Sequence, residues 1–369
     1  MGTDHGRSRR LVAGLAATAL LALACNSGAG STTPAKPANA ASPAASASGG
    51  STSGAAAAPA ATAPPALIPA RVAYTTIAAV QSPFWIAFDG GYFREQGLDV
   101  PDMNRIDPGA TLIAALHGGE VDLVAAGGPS LVLGNLQGLE TMIVGSDLDV
   151  FEDAIAVRPD IKTVEDLRGK TIGVSRLKAI SDVAARVALE RLGLKPDVDV
   201  NFRGTGGNAE SLAALQQGSA EGASISVPAL FKAESLGFPV LVDITAMKIP
   251  FTNGSIGTVK NTIATRADVV ERVLKANALA TARFKSDPEY AMQIIGKYSD
   301  IQDQDALRGT VDVYRPILQT DIYPDRGALQ ATLDAEENPA ARTATPDDVA
   351  DFSFAEKLRQ SGFYNNLPK

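Results

Sequence analysis

The sequence predicts an α/β protein made of two similar lobes, each a mostly parallel sheet flanked by helices. Three observations predict it. Two stretches of the chain align at a spacing of 99 residues. Each stretch reads strand, helix, strand, helix, strand, and such alternation makes parallel sheets. The loops that follow the strands are rich in Gly, Ser and Thr, which is where open α/β sheets bind ligands.

The chain has 369 residues and a formal net charge of −8. An acidic chain argues against a nucleic-acid surface, whose usual footprint is a basic patch. The first element is a leader over residues 1–24. Arg7, Arg9 and Arg10 precede an apolar run from Leu11 to Ala24. That run is too short for a membrane span, which needs about 20 residues, and a basic head before a short apolar run is the layout of a secretory signal. Cys25 follows at once and is the single cysteine, so it excludes an internal disulfide and any multi-cysteine metal site. The junction resembles a bacterial lipobox, which implies cleavage before Cys25 and a diacylglyceryl thioether on its sulfur. Ala22 stands where that pattern prefers Leu.

Residues 26–66 are almost wholly Ala, Pro, Ser, Thr and Gly, with Lys36 the single charge. Such a stretch has little to bury and is expected to stay disordered. Residues 25–66 thus form a tether that reaches roughly 35 Å on average.

The repeat begins after it. Arg71–Thr76 (RVAYTT) aligns with Lys170–Ser175 (KTIGVS), each a short buried strand after a basic residue. Helices are expected over about 83–96 and 181–192, each stopped by Gly-Leu. Residues 110–131 then align with 209–230, with seven of 22 positions identical; Gly119 meets Gly218, and Pro129 meets Pro228. Leu112, Ala115 and Leu116 share one helical face, as do Leu212 and Leu215. The next strands are Val121–Ala125 and Ala220–Ser224, and the acidic residues Asp122 and Glu221 correspond.

This arrangement points to six loops around a cleft. The first lobe offers the end of its first strand at Thr76, the segment Pro108–Thr111 and the segment Gly127–Ser130. The second offers the residues after Val174, the segment Gly206–Ala209 and the segment Ser226–Ala229. Small residues there let backbone N–H groups approach a ligand. The candidate binding residues are Thr76, Gly109, Ala110, Thr111, Gly128, Ser130, Ser175, Gly207, Asn208, Val227 and Pro228. Ser82, Phe84 and Trp85, the single tryptophan, open the first helix and offer a hydroxyl and stacking faces. Arg176, at a strand end, would pair an anionic group through two parallel hydrogen bonds; Arg203 is a weaker candidate for that role.

Other signals carry no chemistry. Gly169-Lys170-Thr171 ends like a phosphate loop, but Val164 stands where the first Gly belongs. Gly204, Gly206 and Gly207 do not complete a dinucleotide fingerprint. Asp149, Glu152 and Asp153 read as solvated carboxylates at a lobe crossing, and no metal or cofactor site is expected. His117 is the single histidine after the leader, and HExxH and GxSxG are absent; no catalytic residue is expected.

Three stretches, in order, resemble the motifs of a known group: Ser82–Val100 (SPFWIAFDGGYFREQGLDV), Gly118–Asp122 (GGEVD) and Val164–Val174 (VEDLRGKTIGV). They resemble solute-binding proteins of ABC importers in the nitrate/sulfonate/taurine group, also called NMT1/THI5-like. The resemblance covers roughly residues 70–365. It implies a type II periplasmic-binding-protein fold, with residues 67–152 plus 258–369 in the first lobe and 153–257 in the second. Crossings near Phe151–Val157 and Gly254–Val259 would form a hinge, and helices over about 267–284, 288–298 and 352–361 would pack on the first lobe. It further implies that the closed form hands a small solute to a permease driven by a separate ATPase; the lipid on Cys25, holding the chain to the outer side of a membrane, fits this independently, and a monomer is expected. A small organic anion such as a sulfonate is the favoured solute; a neutral heterocycle stacked on Tyr74, Phe84 and Trp85 is the alternative. Other classes are a pyrimidine-precursor synthase, for which the cysteine cluster is missing, and a sensor lipoprotein that serves no transporter.

Overall fold

The computed structural model describes residues 66–368. The leader, Cys25 and nearly all of the tether therefore lie outside the described residues. In chain order the first part holds β1 (Ile68–Pro69), β2 (Val72–Tyr74), α1 (Ser82–Asp89), α2 (Tyr92–Glu95), β3 (Leu98–Asp99), β4 (Met103–Arg105), α3 (Gly109–His117), β5 (Leu123–Ala126), α4 (Gly128–Leu136) and β6 (Thr141–Val150). The middle holds β7 (Asp153–Val157), β8 (Thr171–Val174), α5 (Ile180–Arg191), β9 (Asn201–Gly204), α6 (Asn208–Gln217), β10 (Gly222–Ser226), α7 (Ala229–Ser235) and β11 (Val240–Asp243). The rest holds β12 (Pro250–Val259), α8 (Lys260–Thr265), α9 (Ala267–Ser286), α10 (Pro288–Ser299), α11 (Gln304–Tyr314), α12 (Arg326–Asp334), α13 (Pro346–Val349) and α14 (Ser353–Gln360).

Two five-stranded sheets result, in the orders β4-β2-β5-β12-β6 and β11-β7-β10-β8-β9. In the first, β4, β2 and β5 run parallel and β12 runs antiparallel to β5. In the second, β9, β8 and β10 run parallel and β7 runs antiparallel to β10. The same pattern appears twice, and α3 and α6 begin at the aligned positions Gly109 and Asn208. Gly119 and Gly218 each adopt a left-handed conformation, with φ of 72°, which only glycine enters without strain.

The repeated acidic residue has a structural use. The Asp122 carboxylate accepts hydrogen bonds from the Arg71 backbone N–H and from the Arg71 guanidinium, both at 2.8 Å. Glu221 accepts from the Thr171 N–H at 3.0 Å. In each copy an acid just before one strand thus ties the start of its neighbour.

Three expectations change. The helix over 83–96 is split, because Gly90 and Gly91 end α1 and Gly91 is left-handed, with φ of 75°. The return crossing is Ile244–Ile249, not Gly254–Val259. Gly254–Val259 lie inside β12 and pair there with β6, so residues 250–257 belong with the first sheet. The outward crossing is only Phe151-Glu152, since Asp153–Val157 is already β7. The outward crossing meets the start of β12 where Phe151 stacks on Phe251, ring centroids 4.2 Å apart.

Helices α1, α9, α10 and α11 enclose the largest apolar core, against β2, β5 and β6. Two helix starts carry side-chain caps: Asp287 caps α10 by accepting from the Tyr290 N–H, and Thr345 with Asp348 forms a capping box ahead of α13. No helix among the described residues is long and apolar enough to cross a membrane.

Candidate functional site

The parallel strands of both sheets end in the loops that the sequence singles out. Topology brings the loops of each sheet together. In the first sheet, Gly109 has no room for a Cβ, which would stand 2.6 Å from the Ser130 hydroxyl and within reach of Thr75. Gly128 is equally tight against Thr252, at the start of β12. Thr76, Ala110 and Thr111 are exposed on the same rim.

In the second sheet a chain of short hydrogen bonds fixes the loops. The Ser175 N–H donates to the Ser181 hydroxyl at 3.0 Å, and the two serine hydroxyls bond each other at 2.8 Å. The Thr205 hydroxyl donates to the Val174 carbonyl at 2.8 Å and lies 2.6 Å from that of Ser211. Asn208 donates to the Ser226 hydroxyl at 2.8 Å. Gly207 fits beneath the Glu210 carboxylate. Val227 is buried and Pro228 half-buried.

The two rims meet. A Cβ on Gly127 would lie 2.9 Å from the Ile180 side chain at the start of α5. Lys178, in the loop before α5, pairs with Glu337 beyond α12. On the opposite flank, Gly309 of α11 sits against the Phe231 ring of α7.

The aromatic candidates lie elsewhere. Trp85 is 0 % exposed, stacked on Tyr298 at 4.8 Å and edge-on to Tyr74 at 5.9 Å. Phe84 is buried edge-on to Phe93 at 5.7 Å. The Ser82 hydroxyl donates to the Ala79 carbonyl within the core. The reason is that α1 is apolar on nearly every side and is packed against α9 and α10. These three residues, and Tyr74, serve as packing rather than as faces toward a solute.

Arg176 is exposed at the end of β8 and forms no ion pair among the described residues. Arg203 is exposed too, and its guanidinium reaches the Ser219 carbonyl at 3.4 Å. Two residues escaped sequence reasoning: Ile77 (46 % exposed) and Leu177 (52 % exposed). Ile77 follows β2 and Leu177 follows β8, the two strands that open the aligned copies of the repeat. The signal available was a large apolar side chain placed just past a strand end in a loop of small and polar residues.

The acidic residues at the crossing also differ from expectation. Asp147, Asp149, Glu152 and Asp153 are all buried, not solvated. Burial raises the carboxyl pKa of Glu152 to about 8, helped by repulsion from Asp153, and that of Asp153 to about 7. Among the described residues no group of three or more His, Cys, Asp or Glu could hold a metal ion.

A family profile described as NMT1/THI5 like matches residues 79–291. No curated protein sequence matches the chain. Among solved structures, the periplasmic aliphatic sulphonate binding protein SsuA from Escherichia coli is similar over 82 % of this chain and 90 % of its own, at 19 % identity and a TM-score of 0.62. The periplasmic nitrate-binding protein NrtA from Synechocystis PCC 6803 matches over 80 % and 89 %, at 12 % identity and a TM-score of 0.65. The Candida albicans CA3427 gene product, described as having the generic periplasmic binding protein fold, matches over 79 % and 95 %, at 17 % identity and a TM-score of 0.56. The fold is the periplasmic-binding-protein fold.

Proposed function

The chain belongs to the NMT1/THI5-like family, and from that premise we propose that it captures a small organic anion, with a sulfonate as the favoured class, for an ABC importer. The observation that carries this reading is Arg176. It is an exposed guanidinium at a strand end, free of ion pairs among the described residues, with exposed Leu177 beside it. Ile77 is exposed on the corresponding loop of the first sheet. A guanidinium pairs a planar or tetrahedral oxyanion through two hydrogen bonds, and neighbouring apolar side chains gain from covering an alkyl or aryl group. Sulfonate and nitrate, the ligands in the names of two similar structures, are both anions.

The neutral-heterocycle reading loses its support, because its stacking faces are core residues. Two lobes built on the two sheets would close about the crossings at Phe151-Glu152 and Ile244–Ile249, trapping the solute among Thr76, Gly109, Ala110, Thr111, Gly128, Ser130, Ser175, Arg176, Gly207, Asn208, Val227 and Pro228. The closed monomer would then dock on a permease coupled to a separate ATPase. Binding rather than catalysis is the reading supported by the similar sulfonate- and nitrate-binding structures.

Thermal-shift and calorimetric titration with propanesulfonate, benzenesulfonate, nitrate and a neutral aminopyrimidine tests the ligand class. The sulfonates are expected to raise the melting temperature; a response to the aminopyrimidine alone would overturn the reading. Arg176→Ala should weaken sulfonate binding by about 1.5–3 kcal/mol, the value of a hydrogen bond to a charged group. Unchanged affinity in calorimetry would remove Arg176 from the site.

Cys25 would carry the lipid that holds the chain to the outer side of a membrane, since attached acyl chains give stable anchoring. Cys25→Ser should release the protein into the soluble fraction, and continued sedimentation with membranes would refute lipidation.

A further inference from the structure

Asp147, Asp149, Glu152 and Asp153 place four buried carboxyl groups at the outward crossing between the sheets. Among the described residues none of them forms an ion pair with a Lys, Arg or His. Their surroundings are polar but uncharged, or acidic. Asp147 accepts from the Asn277 amide of α9 at 2.9 Å. Asp149 accepts from the Ser146 hydroxyl at 2.6 Å and from the Asp325 N–H at 3.0 Å, with the Gln319 amide at 3.4 Å and the Asp325 carboxyl adding like charge. Glu152 stands beside the Tyr314 hydroxyl at the end of α11, with Asp153 and Asp147 as further acids. Among the described residues neither the Tyr314 hydroxyl nor Glu152 Oε2 has a hydrogen-bond partner.

The cluster is also an interface. Glu152 is one of the two residues that join β6 to β7, and α11, which carries Tyr314, touches α7 of the second sheet. An unpaired carboxylate buried in this way costs several kcal/mol, so the packed form needs either a cation or a proton on these groups. No metal-holding geometry exists among the described residues. Two surface hollows, near Met142 and Lys260 and near Lys285 and Tyr364, are lined by other residues. A proton meets that need without any further ligand.

We propose that closure of the two lobes is coupled to proton uptake by the carboxyl cluster at the crossing, so that acid favours the closed form and alkali releases it. This rests on the reading that the lobes open and close. Opening admits water to Glu152 and Asp153 and returns their carboxyls toward ordinary values near 4. The described form, in which the two rims touch at Gly127 and Ile180, is the closed one in this reading, so their pKa values are raised on closure. The preference for closure is complete below about pH 4 and is lost as pH rises through the range of about 7–8. Captured solute would be retained more firmly in an acidic exterior.

Double electron–electron resonance on the full chain tests this without any solute. Cys25→Ser removes the native thiol, and Asp102→Cys with Val198→Cys places spin labels at exposed positions beside the edge strands β4 and β9. Two distances are expected, and the closed-to-open ratio should fall at least a hundredfold between about pH 6 and about pH 9, because Glu152 titrates about two units above the lower pH and each unit is a factor of ten. Glu152→Gln with Asp153→Asn should abolish most of that dependence; if the pair fails to fold by circular dichroism, Glu152→Gln alone should halve the slope or more. A ratio that ignores pH, or a slope that survives the substitutions, overturns the proposal. One distance at every pH overturns both the coupling and the hinge beneath it, whereas failure to bind sulfonates leaves this measurement untouched.

Discussion

Asp122 shows how a repeated acidic residue earns its place by structure rather than by ligand. Burial alone would raise its pKa, but hydrogen bonds from Arg71 and the charge of Arg266 win, and its carboxyl is held below the ordinary value. Its stabilising effect is therefore present above about pH 4 and is lost as pH falls below that. Asp122→Ala strands the Arg71 N–H and two guanidinium groups, and should cost about 2–3 kcal/mol in urea unfolding at neutral pH. In strong acid the difference from the parent should shrink. An equal loss at both pH values would mean that packing, not charge, is what Asp122 supplies. Trp85 teaches the converse. Its position at the start of a helix after a strand is the same for a ligand face and a core residue, and only its stacking on Tyr298, more than two hundred residues later, decides between them.

At the scale of elements, β6 and β12 set the geometry of the crossing. Each is ten residues long, and they pair antiparallel at Pro250 and from Gly254 to Val259, with register shifts. Glycine is required at Gly257, where the Leu131 side chain occupies the space of a Cβ. The stack of Phe151 on Phe251 then pins the outward crossing to the first residues of the return strand. Both rings are buried, so Phe251→Ala should cost about 3–5 kcal/mol, read as a lowered denaturant midpoint with an unchanged slope. Phe251→Leu should recover more than half of that loss; if leucine is as damaging as alanine, the aromatic stack matters more than the filled volume. The strands were legible where local patterning decides them: β2, β8, β5 and β10 follow the repeat. The place of the return crossing was not legible, because the resemblance gives it only roughly, at Gly254–Val259, while the role of that segment depends on pairing with β6, about a hundred residues earlier in the chain. The break in the first helix at Gly90-Gly91 was written in the sequence as a glycine pair inside a helical pattern.

On the scale of the whole molecule, the repeat made the two sheets and their binding loops legible, since equal local patterns fold alike. It could not reveal that the second sheet is an insertion into the first. That follows from β12, which leaves the second sheet and slots between β5 and β6. The first sheet consequently cannot be completed until the chain has passed through the second. A chain ending at Asp243 would leave β5 and β6 without their shared neighbour, and α1 without α9 and α10. Unpaired strand edges and a stripped apolar helix are not stable in water. Trp85 reports on this directly, as the single tryptophan and a wholly buried one. The full chain should show blue-shifted tryptophan emission that moves red in one cooperative step on adding urea. The chain truncated after Asp243 should emit in the red without denaturant, while β7–β10 keep their own apolar clusters around Ile155, Val174 and Ile225. Blue emission retained by the truncated chain would show that the first sheet closes without β12, and would contradict the dependence argued from its position between β5 and β6.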